Sequence, residues 1–195
     1  RLFHHGEDLG MITLHVPGIH NVSNALAALA TSLELGIDAD TAARGLSMFH
    51  GTNRRFQYKG EVNGFTIIDD YAHHPTEIEA TLKAAANYPH RELWCVFQPH
   101  TYTRTKAFLT QFAQALSHAD HIILADIYAA RETDTLGISS QTLQAEIEKL
   151  GKPCYYFPTF EEIEKFLLKK CMHGDLLITM GAGDVLKIGE NLLSR

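Results

Sequence analysis

No stretch of this 195-residue chain stays apolar for the roughly 20 residues that a bilayer-spanning helix needs. None of it therefore reads as a membrane span. Cysteine is scarce: Cys95, Cys154 and Cys171 are scattered, sit in apolar contexts and show no C-x-x-C spacing. That excludes a disulfide framework and suits a reducing compartment, so a cytoplasmic location is expected. Runs of Lys or Arg and basic-aromatic stripes are missing, and the formal charge is -6. Nucleic acid is excluded as a partner on that ground, and an anionic ligand would have to be held by local groups. The phosphate-cradling pattern G-x-x-x-x-G-K-[ST] is absent, as is a full G-x-G-x-x-G after the first strand. A self-contained nucleotide-binding domain is thus unsupported by motif. Twelve histidines include no H-x-x-x-H pair, so no structural zinc site is expected.

What remains is ordinary for a globular protein: 45% hydrophobic and 21% charged residues. The length allows one large domain, or one domain plus part of another. The chain opens on Arg1 and runs straight into Leu2-Phe3-His4-His5, which hints at a piece of something longer.

The alternating run Met11–Val16 predicts a strand, ended by Pro17-Gly18. Val22, Leu26, Leu29 and Leu33 then recur at helical spacing until Gly36, and a shorter helix spans about 40–49. Residues 1–50 thus predict a strand followed by two helices, too little for a complete domain. This segment is expected to be the weak part of the fold, with apolar surface exposed. His50-Gly51-Thr52-Asn53 is a natural boundary. Beyond it a hairpin is predicted around Gly60–Asn63, flanked by Arg55–Lys59 and Gly64–Ile68. Helices over 76–88, 104–117, 140–150, 160–170 and 184–193 then alternate with apolar strands over 92–97, 121–126, 154–157 and 175–180. Continuously apolar strands between amphipathic helices predict an α/β fold. The expected form is a Rossmann-like, mainly parallel sheet with helices on both faces.

In such a sheet the strands' C-terminal ends share one rim, where ligands bind. Four polar clusters follow strands: Asp69–His74, Gln98–Arg104, Asp126–Arg131 and Gly181–Asp184. The first is the richest. Asp69-Asp70-Tyr71-Ala72-His73-His74 ends an apolar strand and meets a helix opened by Pro75. In the second, His100 and Arg104 stand four residues apart, on one face if helical, and Arg suits a carboxylate or phosphate. The plain alternative for both is a polar, capped strand-to-helix turn. The Gly181-Ala182-Gly183 turn could admit a ligand to backbone N–H groups or exist only for tight packing. Asn21 and Asn24 open the first long helix; one is expected as its N-cap, and the pair could read a base or sugar edge. Arg54-Arg55 read most simply as surface charge at a domain link.

Four segments together carry a family resemblance: Gly18–Ala25, Gly51–Phe56, Asp69–Glu77 and Gln98–Thr105. In order and spacing they resemble the Mur ligases, most nearly the member that joins L-alanine to UDP-N-acetylmuramate. The resemblance implies three domains, of which this chain looks like the tail of the central ATPase domain, 1–50, and the complete C-terminal Rossmann-like domain, 51–195. It implies ATP-driven amide formation: the muramate carboxylate takes the γ-phosphoryl group, and the amine of L-alanine attacks the acyl phosphate. By the same resemblance Asn21, Asn24, Arg55 and Asp70 serve ATP, while Tyr71, His73, His100 and Arg104 line the substrate side. Arg104 is then a candidate for the alanine carboxylate and His73 for orienting or deprotonating the amine. ATP and Mg2+ are the implied cofactors, the main metal ligands lying upstream of this segment. The other domains of the same protein are the implied partners.

One departure stands out. Some family members carry a basic residue after Gln-Pro-His, where this chain has Thr101, so the second cationic partner for the amino acid stays open. Two other readings also stay open. One is the related murein-tripeptide recycling ligase, the other a non-catalytic Rossmann-type binding module.

Overall fold

The computed structural model describes residues 1–195. The chain divides into two compact units, Arg1–Asn53 and Arg54–Arg195. No helix is long and apolar enough to cross a membrane.

The first unit opens with a hairpin of β1 (Leu2–His4) and β2 (Glu7–Gly10), followed by helices α1 (Ile19–Glu34) and α2 (Ala39–Ser47). The predicted strand over 11–16 does not form. The segment keeps a strand's alternation of exposed and half-buried side chains. However, β1 and β2 pair only with each other, so no ladder partner is left for it. Nor does an Asn cap α1. The N-cap is Gly18, at φ 96, and Asn21 lies inside the first turn. Only Leu2, Ala25 and Leu29 of this unit's apolar residues are buried, while Ile19, Val22, Leu26, Leu35 and Met48 are exposed.

The second unit is a six-stranded sheet. Its strands are β3 (Gln57–Val62), β4 (Phe65–Asp70), β5 (Leu93–Phe97), β6 (His121–Leu124), β7 (Cys154–Tyr156) and β8 (Leu176–Met180). They lie in the order β3-β4-β8-β5-β6-β7, parallel except for β3, which forms a hairpin with β4 as expected, but with its turn at Asn63-Gly64 because Gly60–Val62 stay in the ladder. Register puts Asp70 beside Met180, Met180 beside Phe97, Phe97 beside Leu124 and Leu124 beside Tyr156. The last residues of five strands thus form one line, and whatever follows them stands on one rim.

The helices are α3 (Pro75–Ala85), α4 (Tyr102–Ala107), α5 (Leu109–Leu116), α6 (Ser140–Glu148), α7 (Phe160–Lys170) and α8 (Leu186–Leu193). Side chains of α3, α5 and α6 bury one face of the sheet against Ile68, Cys95, Phe97 and Ile178. Those of α7 and α8 bury the other against Ile67, Trp94, Val96 and Leu177. Neighbouring residues of a strand, such as Ile67 and Ile68, therefore enter opposite cores, which is why the strands read as unbroken apolar runs. The single helix expected over 104–117 is two. Phe108 leaves helical geometry at φ -114, ψ 23, and its ring packs edge-on against His74. Hydrogen bonds from Phe108 N–H to Arg104 and from Phe112 N–H to Phe108 carry the chain through the kink.

The β3 edge is irregular: its register shifts between Tyr58 and Gly60, and Lys59 there pairs with Glu190 of α8 at 3.1 Å. Gly60, at φ 147, lets α8 close in, since a Cβ there would stand 2.8 Å from Leu193. The opposite edge, β7, is only three residues long.

Candidate functional site

Asp69 and Asp70 end β4 and are nearly dry, at 1% and 4% exposure. Buried carboxylates need partners, and each has its own. Asp69 Oδ2 accepts from Arg54 Nε at 2.9 Å, and Asp69 Oδ1 from the Thr179 hydroxyl at 2.8 Å. Arg54 Nη2 also donates to the Gly181 carbonyl at 2.7 Å, and its guanidinium lies 4.8 Å from the Tyr71 ring centre. Arg54 is therefore a strut tying two rim segments to its own turn rather than surface charge at a link. Asp70 accepts from the N–H groups of Phe56 and Ala72, both at 2.8 Å, which fixes the turn after the strand. Burial pushes its carboxyl above the ordinary range, against those two bonds. Arg55, in contrast, is exposed; its nearest acid is Glu77 at 4.0 Å.

The two histidines after Tyr71 divide the work. His74 is the N-cap of α3: its Nδ1 accepts from Thr76 N–H, and Glu77 answers by accepting from His74 N–H, a capping box with Pro75 at the first helical position. His73 faces the rim. Its Nδ1 lies 3.1 Å from the Tyr71 carbonyl and 3.3 Å from Glu77 Oε2. Both neighbours only accept, so that nitrogen carries a proton. Burial raises the Glu77 carboxyl, but the N–H groups of His73 and His74 and the charges of His73 and Arg55 outweigh it, so the value is lowered.

Across the rim, the Gln98–Thr101 turn joins β5 to α4. Gln98 N–H donates to the Met180 carbonyl at 3.0 Å, and Gly181 N–H to the Asp70 carbonyl at 3.1 Å. The first, second and fourth polar clusters are thereby linked through backbone. The third joins through Tyr128, whose ring stacks on His100 at 5.5 Å. His73 and His100 face each other edge to face at 6.1 Å. Burial, then Arg104 and His73, lower the pKa of His100, which favours its neutral ring. Three buried polar atoms on this turn and helix have no protein partner: Gln98 Oε1, His100 Nδ1 and Arg104 Nη1. Such orphans are rare in a folded interior; two more, His121 Nδ1 and Asp175 Oδ1, lie away from this rim.

The Gly181-Ala182-Gly183 turn has a packing reason. A Cβ on Gly183 would meet Gln98 Oε1 at 2.5 Å and the Tyr128 ring at 3.1 Å. In the first unit, Asn21 Nδ2 donates to the Pro17 carbonyl at 2.6 Å, and Asn24 Nδ2 to Asn21 Oδ1 at 3.2 Å. The pair thus forms a small amide chain at the start of α1. Burial raises all three cysteine thiols, which keeps them protonated and unreactive at neutral pH. No group of three or more His, Cys, Asp or Glu side chains gathers to hold a metal ion. Sequence reasoning missed Arg54 and, on the loop after β6, Glu132. For Arg54 the signal was a basic residue just before a hairpin whose second strand ends in two acids, since antiparallel pairing returns that end to the hairpin's start.

Residues 54–183 match the family model of the Mur ligase, glutamate ligase domain. Over 188 residues the chain is 63% identical to the UDP-N-acetylmuramate–L-alanine ligase of Lachnospira eligens, covering 96% of this chain and 41% of that protein. Among solved structures, UDP-N-acetylmuramate-alanine ligase from Thermotoga maritima superposes with a TM-score of 0.79 at 30% identity. That superposition covers 94% of this chain and 39% of that one. A murein peptide ligase from Psychrobacter arcticus follows with TM-score 0.71 and 27% identity, over 94% of this chain and 38% of that one. The chain spans about two fifths of the length of the curated relatives it matches. With two thirds of its residues inside the family model and the rim built as described, the chain belongs to the Mur ligase family.

Proposed function

We propose that this chain is the amine-side portion of a longer ATP-dependent ligase that joins L-alanine to UDP-N-acetylmuramate. Residues 1–50 would be the tail of its central ATPase domain and 51–195 its C-terminal domain. The observation that carries the reading is the set of unpartnered polar atoms on Gln98, His100 and Arg104, with the His100 ring 6.1 Å from that of His73. An amino acid brings what these groups lack. Its carboxylate suits the Arg104 guanidinium, with the planar match Arg offers. Its ammonium must lose a proton before it attacks an acyl carbon. His73 would take that proton at Nε2, with Glu77 holding the ring from Nδ1 and stabilising the charge it gains.

His100, kept neutral by burial and by Arg104, can orient the same substrate without repelling its ammonium. Tyr71, over which Arg54 lies, walls the substrate side. Arg55, exposed and held by a 4.0 Å approach to Glu77, would turn to meet ATP phosphate. Asp70, with both oxygens engaged by backbone, would serve the nucleotide by fixing the 54–56 turn that carries Arg55. Asn21 and Asn24 would read nucleotide edges from the start of α1. ATP supplies phosphoryl activation of the carboxylate, and positioning plus charge neutralisation is what the protein adds. Mg2+ would be held chiefly by residues outside this segment, and the setting would be the cytoplasm.

The murein-peptide ligase reading rests on the likeness to the P. arcticus structure. The higher identity to relatives named for L-alanine disfavours it. The test is product mass spectrometry on the full-length parent with ATP, Mg2+ and UDP-N-acetylmuramate, offered L-alanine or the murein tripeptide. A mass gain of one alanine, lost in Arg104→Ala, supports the proposal. Product only with the tripeptide moves the assignment to the recycling enzyme, and no product with either favours a binding module. The 195-residue chain by itself should not turn over.

A further inference from the structure

Glu132 lies on the loop between β6 and α6, one residue past the third polar cluster. Its Oε2 accepts from Tyr102 N–H at 2.5 Å and Thr103 N–H at 3.0 Å, the first N–H groups of α4. The same loop grips the preceding turn through Tyr128. Tyr128 N–H donates to the Pro99 carbonyl at 2.8 Å, and its own carbonyl accepts from Thr101 N–H at 2.9 Å. Between the two grips stands Thr101, at φ 67 and ψ 144. A β-branched residue avoids that conformation, and it persists only where the surroundings impose it. What the strained residue achieves is direction. His100 precedes it and Arg104 follows it, and each holds a buried nitrogen without a partner. The Thr101 carbonyl and hydroxyl are engaged as well, by Thr105 and by Arg104 N–H.

We propose that Glu132 is a positioning residue of the amine site: by holding the first turn of α4 it aims Arg104 and His100 at the incoming amino acid. The proposal rests on the ligase reading given above. Glu132 does not itself touch the substrate. Hydrogen bonds from the Thr103 hydroxyl and from the Tyr102 and Thr103 N–H groups lower its pKa, so it is a charged acceptor throughout the neutral range. A neutral replacement weakens the grip without emptying it. Truncation frees the loop and lets Thr101 relax.

The test is steady-state kinetics of the full-length parent and its Glu132→Gln and Glu132→Ala variants, varying L-alanine, ATP and UDP-N-acetylmuramate in turn. The KM for L-alanine should rise roughly tenfold in Glu132→Ala, as for loss of one charge-assisted hydrogen bond. It should rise less in Glu132→Gln, while the KM values for the other two substrates stay within about twofold. A purely structural role would lower the melting temperature without that selectivity, so the melting temperature of each variant is measured alongside. Should Glu132→Ala fail to fold, Glu132→Gln decides. An L-alanine KM that does not move, or three KM values that rise together, overturns the proposal. If the unsubstituted parent forms no alanyl product, the ligase reading falls and this one falls with it.

Discussion

Replacing Arg54 by Ala removes the partner of a carboxylate that is 1% exposed. The Thr179 hydroxyl would remain on Asp69 Oδ1, but Oδ2 would lose its charged donor. The Gly181 carbonyl would lose its bond from Nη2 and the Tyr71 ring its cation. Breaking a buried pair from one side costs about 3–5 kcal/mol. Arg54 keeps about a fifth of its side chain in solvent, so water can enter the vacated space, and the lower end, about 3 kcal/mol, is expected. Over a unit of roughly 140 residues the unfolding entropy is about 0.3 kcal/mol/K, so the melting temperature should fall by about 10 °C. Urea unfolding followed by tryptophan fluorescence reads this unit alone. Trp94 is the only tryptophan, and it is held between the His121 ring at 4.0 Å and the Asp175 carboxylate at 3.1 Å. The sharper check is a cycle with Asp69→Asn. If the cost is an unpaired buried charge, Asp69→Asn should be at least about 1 kcal/mol less harmful in the Arg54→Ala background than in the parent. A loss below about 1 kcal/mol in Arg54→Ala, or strictly additive costs, would refute the reasoning.

Gly183→Ala should cost about 1–3 kcal/mol, because the added methyl must displace Gln98 or the Tyr128 ring; an unchanged urea midpoint would show that the turn has slack. The raised Asp70 carboxyl holds its proton more tightly when folded, so its contribution is full below the ordinary carboxylate range and declines as pH climbs through the raised value. Asp70→Asn should remove that part of the decline and cost about 1–3 kcal/mol, having one acceptor oxygen for two N–H groups. A stability-pH slope that Asp70→Asn leaves unaltered would contradict this. Limited proteolysis should cut within the first unit or at 50–53 first, given how few of that unit's apolar residues are buried. Equal resistance along the chain would count against it.

The second unit was largely legible because its signals are local. A strand covered on both faces is apolar nearly throughout, as Leu93–Phe97 is and as Leu176–Met180 is apart from Thr179, and each helix between carries its own apolar stripe. The rim was legible for the same reason: parallel strands leave their polar ends together. What the sequence hid depends on partners distant along the chain. Arg54 looks like any link-region cation until the fold brings Asp69 and Gly181 to it. Glu132 lies 30 residues from the N–H group it holds. The kink at Phe108 answers to the His74 ring, which no periodicity encodes. Met11–Val16 shows the converse, since alternation was present but a ladder needs a neighbour.

The two borders of the six-stranded sheet also bear on how the molecule behaves at high concentration. A long, regular border strand offers a row of free N–H and C=O groups on which another chain can assemble as cross-β. At β7 only three residues are on offer, too few to seed a ladder. At β3 the irregular register, with a lysine at its centre, interrupts the row and puts a charge that a second copy would have to desolvate. A change that regularised β3, such as deletion of Lys59, the unpaired residue at the shift, would turn a tolerated border into a template. Its first symptom would be sedimentable aggregate from otherwise folded protein.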